Sequence, residues 1–160
     1  MSNAETPVPP DDAALLSGRI ADGVHHIHQR VYYEDTDAAG IVYYANYLCF
    51  AERARTEILR LLGVSQARLR AEEGLAFAVR RCAVTYHRPA RLDDLLIIRT
   101  WVTAMTRVQV TMRQAVAGAA DGRAIAELDV QIVCIDDDGR PARIPQALTG
   151  AFTHLMTHAE

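Results

Sequence analysis

The stretch Tyr32-Tyr33-Glu34-Asp35-Thr36-Asp37-Ala38-Ala39-Gly40-Ile41-Val42-Tyr43-Tyr44-Ala45-Asn46-Tyr47 holds the turning point of the chain. Before it, His25 to Glu34 alternates polar with β-prone residues, which predicts a strand. Within it, Asp35, Asp37 and Gly40 with two small alanines break that strand. From about Val42 to Leu62 the period becomes helical. At a helical spacing, Tyr44, Tyr47, Leu48, Ala51, Ala54, Ile58, Leu59 and Leu62 share one arc, and Arg53, Thr56, Glu57 and Arg60 lie opposite. Arg53 and Glu57, four apart, are spaced to pair. Small Ala51 and Ala54 on the apolar face predict close approach of another element, and a sheet wrapped over the helix fits.

Downstream, Gly63 ends the helix as a C-cap. Ser65 caps a shorter helix running to about Glu73, with Gly74 after it. The remainder reads as four strands: Ala76 to His87, Leu95 to Ala104, Arg107 to Gly118 and Ala124 to Ile135. In the last, Ala126, Leu128, Val130, Ile132 and Cys134 point one way, and Glu127, Asp129 and Gln131 the other. Pro145 to Met156 reads as a terminal helix. The order of elements predicts an α+β fold with one long helix packed on one antiparallel sheet. Upstream, Pro7, Pro9, Pro10, Asp11 and Asp12 make residues 1–23 read as a flexible N-terminal tail, in which residues 13–16 suffice for one helical turn. Residues 24–160 read as a single domain.

Composition removes whole classes of chemistry. The net charge of −3 and pI near 6.1 give no reason to expect a nucleic acid partner. No basic leader with an apolar run indicates a signal peptide, and no window is long and apolar enough for an integral membrane segment. All 17 basic residues are Arg. A Schiff-base lysine and a P-loop lysine are thereby excluded. Ser2, Ser17 and Ser65 are the only serines, and none lies in G-x-S-x-G, which speaks against a serine hydrolase. Cys49, Cys82 and Cys134 form neither CxxC nor a zinc spacing. Reduced thiols and a cytoplasmic location are expected.

Chemistry must then come from Asp, Glu, His, Tyr, Thr, Arg or backbone amides. Asp37 precedes the long helix, whose first amides are free and carry the positive end of its dipole. Such amides stabilise an oxyanion. A carboxylate beside them serves as general base or as nucleophile. That kit suffices for acyl transfer from a good leaving group such as a thiolate, with no metal and no organic cofactor. The plain alternative for Asp37 is an N-cap of the helix.

The run Tyr33 to Tyr43, followed by Asn46-Tyr47, strongly resembles the hotdog-fold acyl-CoA thioesterases. The nearest group is the 4-hydroxybenzoyl-CoA thioesterase family, in its Tol–Pal-associated acyl-CoA thioesterase branch. Glu52-Arg53-Ala54-Arg55-Thr56-Glu57 continues the match, and Arg88-Pro89-Ala90-Arg91-Leu92-Asp93-Asp94 resembles a turn of the family's sheet. The resemblance spans about Gln29 to Ile135. It implies an antiparallel β-sheet wrapped around one long central helix, in a homodimer or homotetramer with sites at the subunit interface. It implies hydrolysis of an acyl-CoA or acyl-carrier-protein thioester. It places the catalytic carboxylate at Asp37 and the oxyanion contact, a backbone amide, at Tyr44. Gly40, Ile41, Val42 and Tyr43 line the acyl end in this reading. Asn46 and Tyr47 join them as substrate-binding candidates, and Arg88 and Pro89 lie near the coenzyme A entrance. The resemblance departs at Tyr44, where several members of that branch carry His, so the implied role there belongs to the backbone.

Other residues compete for attention. Glu52 is the carboxylate that another branch of hotdog thioesterases would use; an ion pair with Arg55 or a solvated position is its plain alternative. Arg55 falls inside the apolar arc, where a cation needs a partner. His25, His26 and His28 read as surface strand residues without a third metal ligand. Arg80, Arg81, Arg88 and Arg91 suit phosphate as well as solvent. Two rival functions stand beside thioester hydrolysis: a non-catalytic acyl-binding or interaction subunit, and a dehydratase. The second needs a His at the helix start, where this chain has none.

Overall fold

The computed structural model describes residues 15–156. Six strands, β1 Arg19–Ala21, β2 Val24–Arg30, β3 Ala76–Tyr86, β4 Leu95–Met105, β5 Gln109–Gly118 and β6 Ala124–Ile135, form one sheet. A 3-10 turn (Tyr33–Asp35) and three helices, α1 Asn46–Leu61, α2 Gln66–Glu73 and α3 Gln146–His154, complete the elements. The sheet order is β1-β2-β4-β5-β6-β3, with every pairing antiparallel. The sheet wraps α1, as the α+β reading expected. Phe50, Ala51, Ala54 and Ile58 of α1 meet Leu96, Ile98, Ile125, Leu128 and Val130 in the core. Burying one such large side chain stabilises the fold by about 1.5–3 kcal/mol.

Local chemistry explains the boundaries. Ser65 Oγ accepts the Arg68 N–H, and Gly74 adopts φ 63°, so α2 is capped at both ends as its sequence predicts. The alternation of β6 is realised, with Leu128, Val130 and Cys134 fully buried and Glu127 and Asp129 exposed.

Four expectations need correction. Arg19–Ala21, read as tail, pairs with β2 through Ile20 and His25, and residues 15–17 close a helical turn before it. Residues 1–14 of the expected tail lie outside the described residues. The helix begins at Asn46 rather than near Val42. Val42 N–H donates to Ala90 O at 2.9 Å and Tyr43 N–H to Asp35 O at 2.9 Å, which keeps this segment extended. Glu57 does not take Arg53; it binds Arg60 and accepts the Ser17 hydroxyl at 2.6 Å. His25 is fully buried, not a surface residue, and its Nε2 lies 2.7 Å from Ser17 O.

One sheet row is polar where it faces α1. His25, Thr100 and Gln114 are register neighbours across β2, β4 and β5, and all three are fully buried. Gln114 Nε2 donates to Thr100 Oγ1 and to Ala51 O, each at 3.0 Å. The small residues of α1 permit this approach.

Candidate active site

The site residues gather where the Asp37 turn, the start of α1 and the end of β3 meet. Asp37 opens a tight turn. Its N–H donates to Ile41 O, and its own carbonyl accepts Gly40 N–H, each at 2.9 Å. Gly40 sits at φ 75°, a conformation that only glycine takes without strain. Asp37 Oδ1 accepts the Ala39 N–H at 2.9 Å. The carboxylate is therefore not the N-cap of α1; that position belongs to Ala45, which has no side-chain cap. The Asp37 side chain is exposed, and among the described residues its Oδ2 meets no donor.

The helix entrance is held from three directions. Asp35 is buried; its carbonyl accepts both Tyr43 N–H and Asn46 Nδ2–H, and its carboxylate accepts Tyr32 N–H at 2.8 Å. Asn46 N–H closes the turn onto Tyr43 O at 2.8 Å. From β3, the Tyr86 hydroxyl donates to Tyr44 O at 2.9 Å. Tyr44 N–H is left with no acceptor among the described residues. It is an amide at a helix start with its donor free. The Tyr43 and Tyr44 rings meet edge to face at 4.8 Å. The neighbouring Tyr44 phenol, and to a lesser degree the Asp37 charge, hold the Tyr43 phenol above its ordinary value.

The other expected site residues divide into two groups. Gly40, Tyr43 and Tyr44 are exposed, and Ile41 is half-buried beside Arg91, its bridge partner. Val42 and Tyr47 are buried and act as struts: the Tyr47 hydroxyl accepts Ala90 N–H at 3.2 Å while Ala90 O holds Val42. Burial raises the Tyr47 phenol. Asn46 likewise spends its side chain on Asp35. Arg88 and Pro89 are exposed at the end of β3, with Arg88 Nη1 3.4 Å from Ala124 O. Next to them His87 Nε2 lies 3.1 Å from Glu127. His26 and His28 recruit no metal set: among the described residues no three of His, Cys, Asp and Glu converge.

A second polar group lies deeper along α1. Arg55 Nη1 donates to Gln114 Oε1 at 2.7 Å. Glu52 binds the Thr56 hydroxyl at 2.7 Å and makes no direct ion pair with Arg55. Burial pulls the Arg55 guanidinium below its ordinary value, and the Glu52 charge partly offsets this. Tyr86, Thr100 and Gln114 did not stand out in the sequence. Gln114 carried a signal, because it occupies an inward position between Met112 and Val116 in an otherwise apolar alternation.

Comparison with known proteins fits this geometry. A family model for the thioesterase-like superfamily matches residues 31–152. The chain is 44% identical over 124 residues to the acyl-CoA thioester hydrolase YbgC of Escherichia coli, covering 77% of this chain and 91% of that one. A crystal structure of a probable thioesterase from Bartonella henselae superposes with TM-score 0.72 at 36% identity, covering 76% of this chain and 99% of the other. A 1,4-dihydroxy-2-naphthoyl-CoA thioesterase from Synechocystis shares the fold, with TM-score 0.77 at 21% identity over 81% of this chain and 96% of that one. The resemblance carried by Tyr33 to Tyr47 thus holds along most of the described chain, and the protein belongs to the thioesterase-like superfamily.

Proposed function

We propose that this protein hydrolyses acyl-CoA thioesters, with Asp37 and the Tyr44 N–H as its reacting groups. Kinship supports the reaction, since the 44% identical YbgC is an acyl-CoA thioester hydrolase. The single observation that supports the site is the free Tyr44 N–H at the start of α1. The Thr36–Val42 bridge and the Tyr43 N–H bond to Asp35 O fold the Asp37 turn back onto the residues before Tyr44, so the carboxylate belongs to the same neighbourhood. A thioester carbonyl directed at Tyr44 N–H gains an oxyanion donor. Asp37 then either removes a proton from an attacking water or attacks the carbonyl itself. In the first route the water oxygen bonds to the carbonyl carbon, the C–S bond breaks, and the proton held by Asp37 passes to the departing CoA sulfur. In the second an Asp37 oxygen bonds to the carbonyl carbon and CoA leaves as the thiolate; water then cleaves the mixed anhydride to the free acid and the Asp37 carboxylate, and the proton released passes to the thiolate.

The working unit in this proposal is a homo-oligomer built on a dimer. β3 lies at a sheet edge, and Val79 (51% exposed) and Tyr86 (46%) stand on it. Paired with β6 on one side and open on the other, an edge strand of this length is a template for a second copy. The free thiols of Cys49 and Cys82 are in keeping with a cytoplasmic enzyme. Gly40, Ile41 and Tyr43 border the thioester, and Arg88 and Pro89 the CoA entrance.

Thiol release from a panel of acyl-CoA and acyl-carrier-protein thioesters tests the reading. Asp37→Asn is expected to lose about 10³-fold or more in kcat while keeping its fold. Turnover that survives in Asp37→Asn would move the carboxylate to Glu52. A wild type inactive on every thioester would leave an acyl-binding subunit, with Asp37 serving its turn alone.

A further inference from the structure

Two clefts run along the seam between α1 and β3, and they meet at Glu52, Arg55 and Val79. The outer one begins at Leu48, four residues beyond Tyr44, and reaches Cys82. The inner one has Glu52, Arg55, Thr56 and Gln66 among its walls and ends against the apolar Leu59, Met112 and Phe152. Both flanks of the seam lead back to the candidate site. On the α1 flank, Tyr44 lies in the entrance turn and Leu48 in the first turn of α1, four residues on. On β3, Tyr86 bonds Tyr44 at one end of the strand, and Phe77 lines the inner cleft at the other.

Arg55 stands at the junction. Its guanidinium is drawn back toward the start of α1, because Nη1 bonds Gln114, whose amide bonds Ala51 O. No other contact holds the guanidinium among the described residues. Its remaining N–H groups therefore depend on water in the clefts. An alkyl chain passing them would strip that water with nothing to replace it.

We propose that Arg55, held by Gln114, is a polar gate that sets the acyl chain length this enzyme accepts. The inference rests on the reading of Asp37 and Tyr44 N–H as the reacting groups. From Tyr44 in the entrance turn to the level of Ala51 on α1 the chain rises about 10 Å, room for roughly eight carbons of an extended chain. Carbons up to the gate lie against Leu48, Val79 and Val130. Carbons beyond it must cross a desolvated cation to reach the inner cleft. The substrate class is therefore short- to medium-chain acyl groups, and the inner cleft is latent capacity for longer ones.

The experiment measures kcat/KM for straight-chain acyl-CoAs from C4 to C14, on the wild type, Arg55→Met and Arg55→Gln, with Asp37→Asn in parallel. For the wild type, kcat/KM should rise by about fourfold per two-hydrogen methylene up to about C8 and then level or fall. In Arg55→Met the C12 to C6 ratio should increase by about thirtyfold or more, because apolar contact continues into the inner cleft. A ratio is independent of the fraction of enzyme folded. Arg55→Gln, which keeps an amide donor for Gln114, should move the ratio the same way by less. A wild-type profile that climbs unbroken past C8, or a ratio unmoved in both Arg55 variants, would overturn the gate. If Asp37→Asn is then dead, the gate alone has failed; if Asp37→Asn is active, the site reading has failed and the gate with it.

Discussion

The Tyr86 hydroxyl reaches from the edge strand β3 to Tyr44 O at 2.9 Å and so ties the sheet edge to the peptide next to the free Tyr44 N–H. Tyr44 lies in the turn closed by Asn46 N–H on Tyr43 O, and among the described residues Tyr86 and Asp35 hold that turn from outside. If Tyr44 N–H is the oxyanion donor, as proposed, Tyr86→Phe should lower kcat by about three- to thirtyfold with little change in KM, because the donor loses its alignment rather than its existence. Steady-state kinetics with a thermal melt checks this. An unchanged kcat at unchanged melting temperature would show that the tether is idle.

Gln114 is the buried hub between α1 and the sheet. Replacing it by Leu leaves Thr100 Oγ1 and Ala51 O short of a donor and Arg55 without its acceptor. The loss should amount to about 2–4 kcal/mol of unfolding free energy, measured by urea denaturation. A loss under about 0.5 kcal/mol would mean that the polar row is dispensable.

His25 makes stability fall in acid. It is fully buried, its Nδ1 has no hydrogen-bond partner among the described residues, and desolvation lowers its pKa from 6.5. A group with a depressed folded pKa that is neutral when deprotonated binds its proton more tightly in the unfolded chain. Stability is thus full above pH 6.5 and falls below it, by up to about 1.4 kcal/mol per pH unit, until the folded pKa is reached. His26, shifted the same way but more open, adds a smaller share. Urea titrations from pH 5 to 8 should show this slope in the wild type and most of it gone in His25→Gln.

Two glycines separate strain from collision. Gly18 sits at φ 72°, and a Cβ there would fall 2.2 Å from His26 O. Gly40 sits at φ 75° with open space around it. Gly18→Ala should cost about 3 kcal/mol or more and loosen β1 from β2, whereas Gly40→Ala should cost about 1 kcal/mol. The second substitution should nonetheless depress turnover, because it deforms the Asp37 turn. Equal destabilisation by the two would contradict the contact at Gly18.

Much of this was legible before any coordinates. The alternation from Ala126 to Cys134 marked β6, and Ser65 with Gly74 bracketed α2, because each signal is local. The start of α1 was misplaced because the bonds that keep Val42 and Tyr43 extended come from Ala90 and Asp35, one of them far along the chain. β1 was missed because three residues carry too short a pattern; its order comes from β2 and from Ser17 on Glu57. Asp37, Gly40 and Tyr44 could be singled out as neighbours in sequence. The Arg55–Gln114–Thr100–Ala51 cluster could not, since it joins three elements through side chains whose meeting depends on strand order.

That strand order also shapes how the chain comes together. β3 is followed by β4 and β5, yet it pairs only with β6, where Tyr86 meets Ala126 and Ala76 meets Ile135. During synthesis β3 waits, with both edges bare, until the last strand has emerged. The long helix likewise gains its cover only when the sheet closes around it. Folding of this topology should therefore be slow and all-or-none, with truncations before residue 124 prone to aggregate.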